Sequence, residues 1–176
     1  CIVTQRAAYQ SRQAIRRAIR ENPSGMVSAA GCYAQAFPEE LTRIRGLDLV
    51  ADNISKGRIP EELLRREKGK GPQALTGRLR KDMPFEFLPV KGLPDRTRAF
   101  LKIQDGCESF CSYCIVPLAR GPLRSLAPQE VIGALGSFAA AGTREVVLTG
   151  IHLGQYGMDL HPPVDLPALL RLIGRE

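Results

Sequence analysis

The sequence contains no tryptophan, and aromatic residues make up only 6% of it, which argues against a base-stacking platform as its main recognition device. No apolar run is long enough to cross a bilayer and no signal-peptide pattern opens the chain, so no membrane partner is expected. Histidine is scarce, with His152 and His161 alone. Cysteine is present but poorly arranged for disulfides: of Cys1, Cys32, Cys107, Cys111 and Cys114, an odd count, three lie within eight residues. Without a secretion signal the expected compartment is the reducing cytoplasm, where clustered thiols serve metals or redox chemistry. The chain opens on Cys1 rather than Met, which gives the expectation of a cut or processed piece. What remains is ordinary for a folded protein, with 44% apolar and 24% charged residues over 176 positions, enough for one domain or two small ones. The net charge of +7 raises the chance of a polyanionic partner but is weak by itself.

The pattern over Ala7 to Arg20 predicts a helix with Ala8, Ile15, Ala18 and Ile19 near one face. Arg12, Arg16 and Arg20 recur on another face, which reads as solvated, with a phosphate-facing stripe as the alternative. Asn22-Pro23-Ser24-Gly25 ends that helix, and Met26 to Ala30 reads as a short buried strand leading into Gly31-Cys32-Tyr33. A short helix opens at Pro38, and a second strand covers Leu47 to Val50. The alternation predicts a parallel sheet, in which sites lie at the carboxyl ends of strands, where Cys32 sits. From Lys56 to Lys81 the composition turns rich in Lys, Arg and Gly, with one short helix over Glu61 to Glu67 and a flexible charged stretch at Lys68 to Gln73. Pro84, Pro89 and Pro94 follow, and the stretch from about Glu67 to Asp95 reads as an interdomain connection.

A second unit begins near Arg98. Ala99 to Ile103 reads as a strand, Pro128 to Ala141 as a helix with Val131, Leu135 and Phe138 inward and Gly142 as its stop, and Glu145 to Thr149 as a buried strand. A further helix follows Asp165, with Pro167 in its first turn. This order opens either a parallel β/α barrel or an open α/β sheet.

The decisive segment is GCESFCSYC, where Cys107, Cys111 and Cys114 form a CxxxCxxC triplet directly after a strand. Three thiolates on one short loop can hold three corners of a cubane iron–sulfur cluster and leave one iron open. The competing reading is a structural zinc site that recruits His152 as fourth ligand, in a non-catalytic RNA-binding module; the spacing and the preceding strand fit the cluster better.

The triplet with an aromatic residue, Tyr113, before its last cysteine resembles the hallmark of the radical S-adenosylmethionine enzymes. TRAFLKIQDGCESFCSYCIVPLARGPLRS, together with CIVTQRAAYQSRQAIRR and GCYAQAFPEEL, is similar to the methylthiotransferase branch of that superfamily. The resemblance implies an α/β fold: the remainder of an N-terminal parallel-sheet α/β domain, followed by the first β/α units of a radical-SAM partial TIM barrel. The implied boundaries are 1–66 for the C-terminal part of the N-terminal domain with its auxiliary cluster, 67–95 for a linker, and 96–176 for the start of the radical core. It implies two [4Fe-4S] clusters in the parent protein. Cys107, Cys111 and Cys114 would hold the one whose open iron chelates S-adenosylmethionine for cleavage to a 5′-deoxyadenosyl radical. Cys1 and Cys32 match two of the three cysteines of the auxiliary cluster. Tyr113, Thr149 and Gly150 would lie against S-adenosylmethionine or substrate, and Arg120 and Arg124 could meet phosphate or carboxylate. His152 reads as a loop-packing residue. The family's first auxiliary cysteine has no counterpart here, so the piece alone is expected to lack full turnover.

Three substrates occur in the family: threonylcarbamoyladenosine and isopentenyladenosine beside the tRNA anticodon, and an aspartate of a ribosomal protein. CIVTQRAAYQSRQAIRR, FLKIQDGC and LTGIHLGQYG are most similar to the threonylcarbamoyladenosine branch. The implied partners are tRNA, S-adenosylmethionine and an electron donor.

Overall fold

Thr4 starts the first helix, α1 (Gln5–Glu21), by accepting the Ala7 N–H on its hydroxyl at 3.1 Å. The helix ends where the Asn22 side chain donates to the Ala18 carbonyl at 2.9 Å. Ala8, Ile15, Ala18 and Ile19 pack on the core as their spacing predicts. Arg16 and Arg20 are exposed, but the uniform solvated stripe fails at Arg12. Its guanidinium donates to the Tyr33 hydroxyl and lies 3.8 Å from the Glu40 carboxylate.

The computed structural model describes residues 1–87 and 97–175, so Pro89 and Pro94 of the expected connection lie outside the described residues. The chain divides into two units: Cys1–Arg80 with Phe110–Gly121, and Lys81–Ser109 with Pro122–Glu176. No helix among the described residues is long and apolar enough to cross a membrane.

In the first unit β1 (Ser28–Ala30), β2 (Leu49–Ala51) and β3 (Gln73–Leu75) form a parallel sheet in that order. β2 is buried on both faces, as the middle strand of a covered parallel sheet should be. Val50 joins the larger core with Ile2, Tyr33 and Leu41, while Leu49 and Ala51 pack with Leu75, Ile59 and Leu63 on the other side. The connections carry α2 (Cys32–Ala36), α3 (Pro38–Thr42) and α4 (Ile59–Leu64), and α5 (Val116–Arg120) packs against α2.

The chain turns at Gly31, which takes φ 109°, and α2 starts at once at Cys32. One stretch of this unit departs from the sequence reading. β3 falls inside the stretch read as a connection, and Lys68, read as flexible, bonds the buried Asp48 carboxylate at 3.0 Å. A buried carboxylate demands such a partner. Val27 N–H supplies a second donor at 2.8 Å. Burial opposes the ionised form, yet these donors outweigh it and hold the Asp48 carboxyl below its usual range.

In the second unit β4 (Arg98–Lys102) and β7 (Glu145–Thr149) pair in parallel, Arg98 opposite Glu145 and Lys102 opposite Thr149. β5 (Gln104–Asp105) and β6 (Arg124–Ser125) form a short antiparallel pair. α6 (Pro128–Ala140) buries Val131, Ala134 and Phe138 and stops before Gly142, which takes φ 81°. α7 (Leu166–Ile173) is capped by Asp165, whose carboxylate accepts the Ala168 N–H at 2.8 Å. Tyr156, 1% exposed, donates its hydroxyl to the Leu126 carbonyl at 2.7 Å. Beside it, Gly157 at φ 78° admits no side chain, since a Cβ would stand 1.7 Å from the Val164 oxygen. Both units therefore have the mixed α/β character with parallel strands that the sequence predicts.

Candidate metal centre

The approach to the triplet is built around Gln104. Its side chain, fully buried, donates to the carbonyls of Asp105 at 3.0 Å and Gly106 at 2.7 Å. Its oxygen accepts the His152 N–H at 2.7 Å, so one amide fixes both the lead into Cys107 and the loop after β7. Asp105 adds a bond from the Gly106 N–H at 2.9 Å and an ion pair with Lys102 at 2.8 Å. The sequence reading passed over Gln104, although a polar residue closing an apolar strand is the signal that could have found it.

Cys107 is half-buried, with its sulfur 3.4 Å from the Ser109 hydroxyl and 3.8 Å from the Gln155 side-chain amide oxygen. It belongs to the second unit, whereas Cys111 and Cys114 belong to the first. The Cys114 N–H donates to the Cys111 carbonyl at 2.9 Å, closing a turn in which Cys111 is exposed and Cys114 half-buried. Phe110, just ahead of that turn, takes φ 45°. For a bulky side chain this costs about 1–3 kcal/mol, a kind of strain that clusters at functional loops.

Cys1, Cys32 and Cys114 each adjoin a residue of one apolar cluster, namely Ile2, Tyr33 and Ile115. Cys1 is exposed and is tethered by its amine to the Ser11 hydroxyl at 3.1 Å. Cys32 packs on the cluster itself and lies 3.8 Å from the Asn53 side-chain nitrogen. The Tyr33 hydroxyl donates to Glu40 at 2.6 Å; burial and that acceptor raise its pKa, against the opposing pull of Arg12.

Of the other expected residues, Tyr113 and Arg120 belong to the first unit and Arg124, Thr149, Gly150 and His152 to the second. Tyr113 is 90% exposed. The Thr149 hydroxyl donates to the Leu101 carbonyl at 3.3 Å across the strand pair. Gly150 lies where a Cβ would come within 2.9 Å of Gln104, which gives its small size a packing reason. His152 is exposed, its imidazole lies 3.5 Å from where a Gly154 Cβ would stand, and its backbone N–H is the group that Gln104 holds. Arg120 and Arg124 are half-buried. A cleft of about 660 Å³ in the second unit is lined by Lys81, Phe85, Glu108, Arg124, Gln155 and Asp159, two of them flanking Cys107.

Among the described residues no three His, Cys, Asp or Glu side chains converge as a ready-made metal site. The donor chemistry nevertheless suits a thiolate-held cluster, because all five cysteines are free thiols and three share one short loop.

No protein-family model matches the chain. Over 160 residues, 91% of this chain, it is 44% identical to the threonylcarbamoyladenosine tRNA methylthiotransferase MtaB of Bacillus subtilis. The chain is homologous to the methylthiotransferases. The protein of the same name from Aquifex aeolicus is 39% identical over 90% of the chain. The tRNA-2-methylthio-N(6)-dimethylallyladenosine synthase of Clostridium novyi is 32% identical over 89% of it. The chain spans just over a third of these methylthiotransferases, 36%, 39% and 35% of their lengths in that order.

Proposed function

We propose that this chain is part of a radical S-adenosylmethionine tRNA methylthiotransferase that adds a methylthio group to the adenine of N6-threonylcarbamoyladenosine beside the anticodon. The observation that carries the reading is the 44% identity to the Bacillus methylthiotransferase over 91% of the chain. Substrates of the dimethylallyladenosine or ribosomal-protein kind are less favoured, since relatives named for them are 35% and 34% identical.

In this reading residues 1–66 are the end of an N-terminal domain and 96–176 the start of the radical core, joined by 67–95. Cys107, Cys111 and Cys114 are the ligands of one [4Fe-4S] cluster, and Cys1 and Cys32 are ligands of an auxiliary one. Bound there, the first cluster would supply the electron that cleaves S-adenosylmethionine. The protein's part is to hold the loop: Gln104 and Asp105 fix the backbone before Cys107, and the turn from Cys111 to Cys114 fixes the spacing of the other two. Gln155 bears on the first sulfur, and the cleft beside it has the volume of a nucleoside-sized site. Tyr113, Thr149 and Gly150 are assigned to the S-adenosylmethionine side. The positive charge, +7, suits a tRNA partner. An electron donor and a cytoplasmic setting complete the reading, and free thiols are compatible with both.

The test is iron and sulfide content after anaerobic reconstitution, with the visible spectrum, for the parent and for the Cys107→Ala, Cys111→Ala, Cys114→Ala triple variant. The triple change is expected to remove one cubane's complement, about four irons per chain, and any iron that remains belongs to the auxiliary ligands. Zinc in place of iron, or an iron content that the triple change leaves undiminished, overturns the reading.

A further inference from the structure

α5 is only five residues long, so the Ala119 carbonyl in its last turn has no partner within the helix. Asn53 provides one: its side-chain nitrogen donates to the Ala119 oxygen at 2.7 Å, across 66 residues of sequence. The same nitrogen lies 3.8 Å from the Cys32 sulfur, and an amide has a second hydrogen to direct there. Asn53 itself is held firmly. The Asp52 carboxylate accepts the N–H groups of Ile54 at 2.9 Å and Ser55 at 2.7 Å, fixing the backbone that follows β2. The Asn53 N–H donates to the Gln35 side chain at 3.2 Å, and Gln35 stands one turn beyond Cys32 on α2. All of these groups belong to the first unit.

We propose that Asn53 is a positioning residue that fastens the helix following Cys114 to the helix beginning at Cys32, while presenting an N–H to the Cys32 sulfur. α2 and α5 then behave as one body, and the chain on the C-terminal side of the triplet cannot drift from Cys32. The amide orientation is not free, because only its nitrogen can face a carbonyl oxygen. Gly121 continues the fit: at φ 76° it lies where a Cβ would come 2.8 Å from Leu79. An N–H directed at a thiolate stabilises its charge, and on a cluster ligand it favours the reduced state. This last consequence rests on the reading of Cys32 as a cluster ligand; the fastening does not.

Hydrogen exchange on the iron-free protein tests the fastening, with Asn53→Asp, which keeps shape and removes the donor, and Asn53→Ala beside it. Amides of residues 116–121 are expected to exchange roughly 2- to 10-fold faster, the loss of one net hydrogen bond, while those of β1 and β2 stay unchanged. Unchanged exchange at 116–121, or equal acceleration throughout the unit, overturns the proposal. In the reconstituted protein, Asn53→Ala, which removes the N–H without adding charge, is expected to make the potential of the Cys32-held cluster more negative at unaltered iron content, which loss of a merely structural cap would not do. An unmoved potential removes the sulfur contact from the proposal. If Cys32→Ala keeps all its iron, the ligand reading of Cys32 falls, and exchange alone decides the fastening.

Discussion

Replacing Gly150 by alanine would ordinarily stabilise a protein by about 0.4–1 kcal/mol, through the entropy of the unfolded chain, wherever the native backbone accepts the change. Gly150 is not in the left-handed region, so its backbone accepts a Cβ; the space around it does not. The added carbon would stand 2.8 Å from the Leu153 methyl, 2.9 Å from the Gln104 Cβ and 2.9 Å from the Gln104 amide oxygen. Leu153 can swing aside, but the Gln104 Cβ is fixed by a strand. Overpacking of this kind costs about 1–3 kcal/mol. Moving Gln104 also disturbs a fully buried amide that holds the Gly106 carbonyl and the His152 N–H, and a buried group left unmatched costs a further 1–3 kcal/mol or so. Gly150→Ala is therefore expected to destabilise by about 2–4 kcal/mol, a fall of about 1–2 M in the urea midpoint. Gly133→Ala serves as the control. It lies inside α6 with nothing within 4 Å of its prospective Cβ and should gain about 0.5–1 kcal/mol. A Gly150→Ala midpoint equal to or above the parent's would refute the packing argument and leave Gly150 to be explained by ligand binding alone.

Asp48 has a lowered folded pKa, so its contribution is present above the unfolded value of about 3.9 and is lost as pH falls through the folded value. Asp48→Asn is accordingly expected to be less stable than the parent near neutrality, with the gap closing below about pH 4 in denaturant titrations; parallel curves would count against it. Tyr156 behaves oppositely: burial, with Asp159 adding to it, pushes its pKa up to about 12. Its contribution is full below the unfolded pKa of about 10 and is lost as pH rises through the folded value, a swing of about 3 kcal/mol. Tyr156→Phe should abolish that alkaline swing and cost about 1–3 kcal/mol at neutral pH, because the Leu126 carbonyl loses its donor. Unfolding of parent and variant at pH 9 and pH 12 checks both statements.

Much of the secondary structure was legible because it depends on local chemistry. The stripe of Ala8, Ile15, Ala18 and Ile19, the stop at Gly142 and the cap at Asp165 all follow from rules that act over one or two turns. β3 was not legible, since Gln73-Ala74-Leu75 has little strand character and is held by pairing with β2. Arg12 was misread for the same kind of reason: its spacing matches Arg16 and Arg20, and only the approach of Tyr33 and Glu40 singles it out.

The triplet was plain in the sequence because three thiols within eight residues are joined by the chain itself, whatever the rest of the molecule does. The sequence alone thus determined the spacing of the cysteines and the likeness to the methylthiotransferases. Only the tertiary structure decided what supports those cysteines: Gln104 closing over the loop after β7, Gln155 beside Cys107, and Asn53 reaching 66 residues along the chain to Ala119. Such partners are chosen by packing. A side-chain amide carries the same hydrogen-bonding groups at every position, and its role is set by which buried carbonyl or sulfur the fold leaves within its reach.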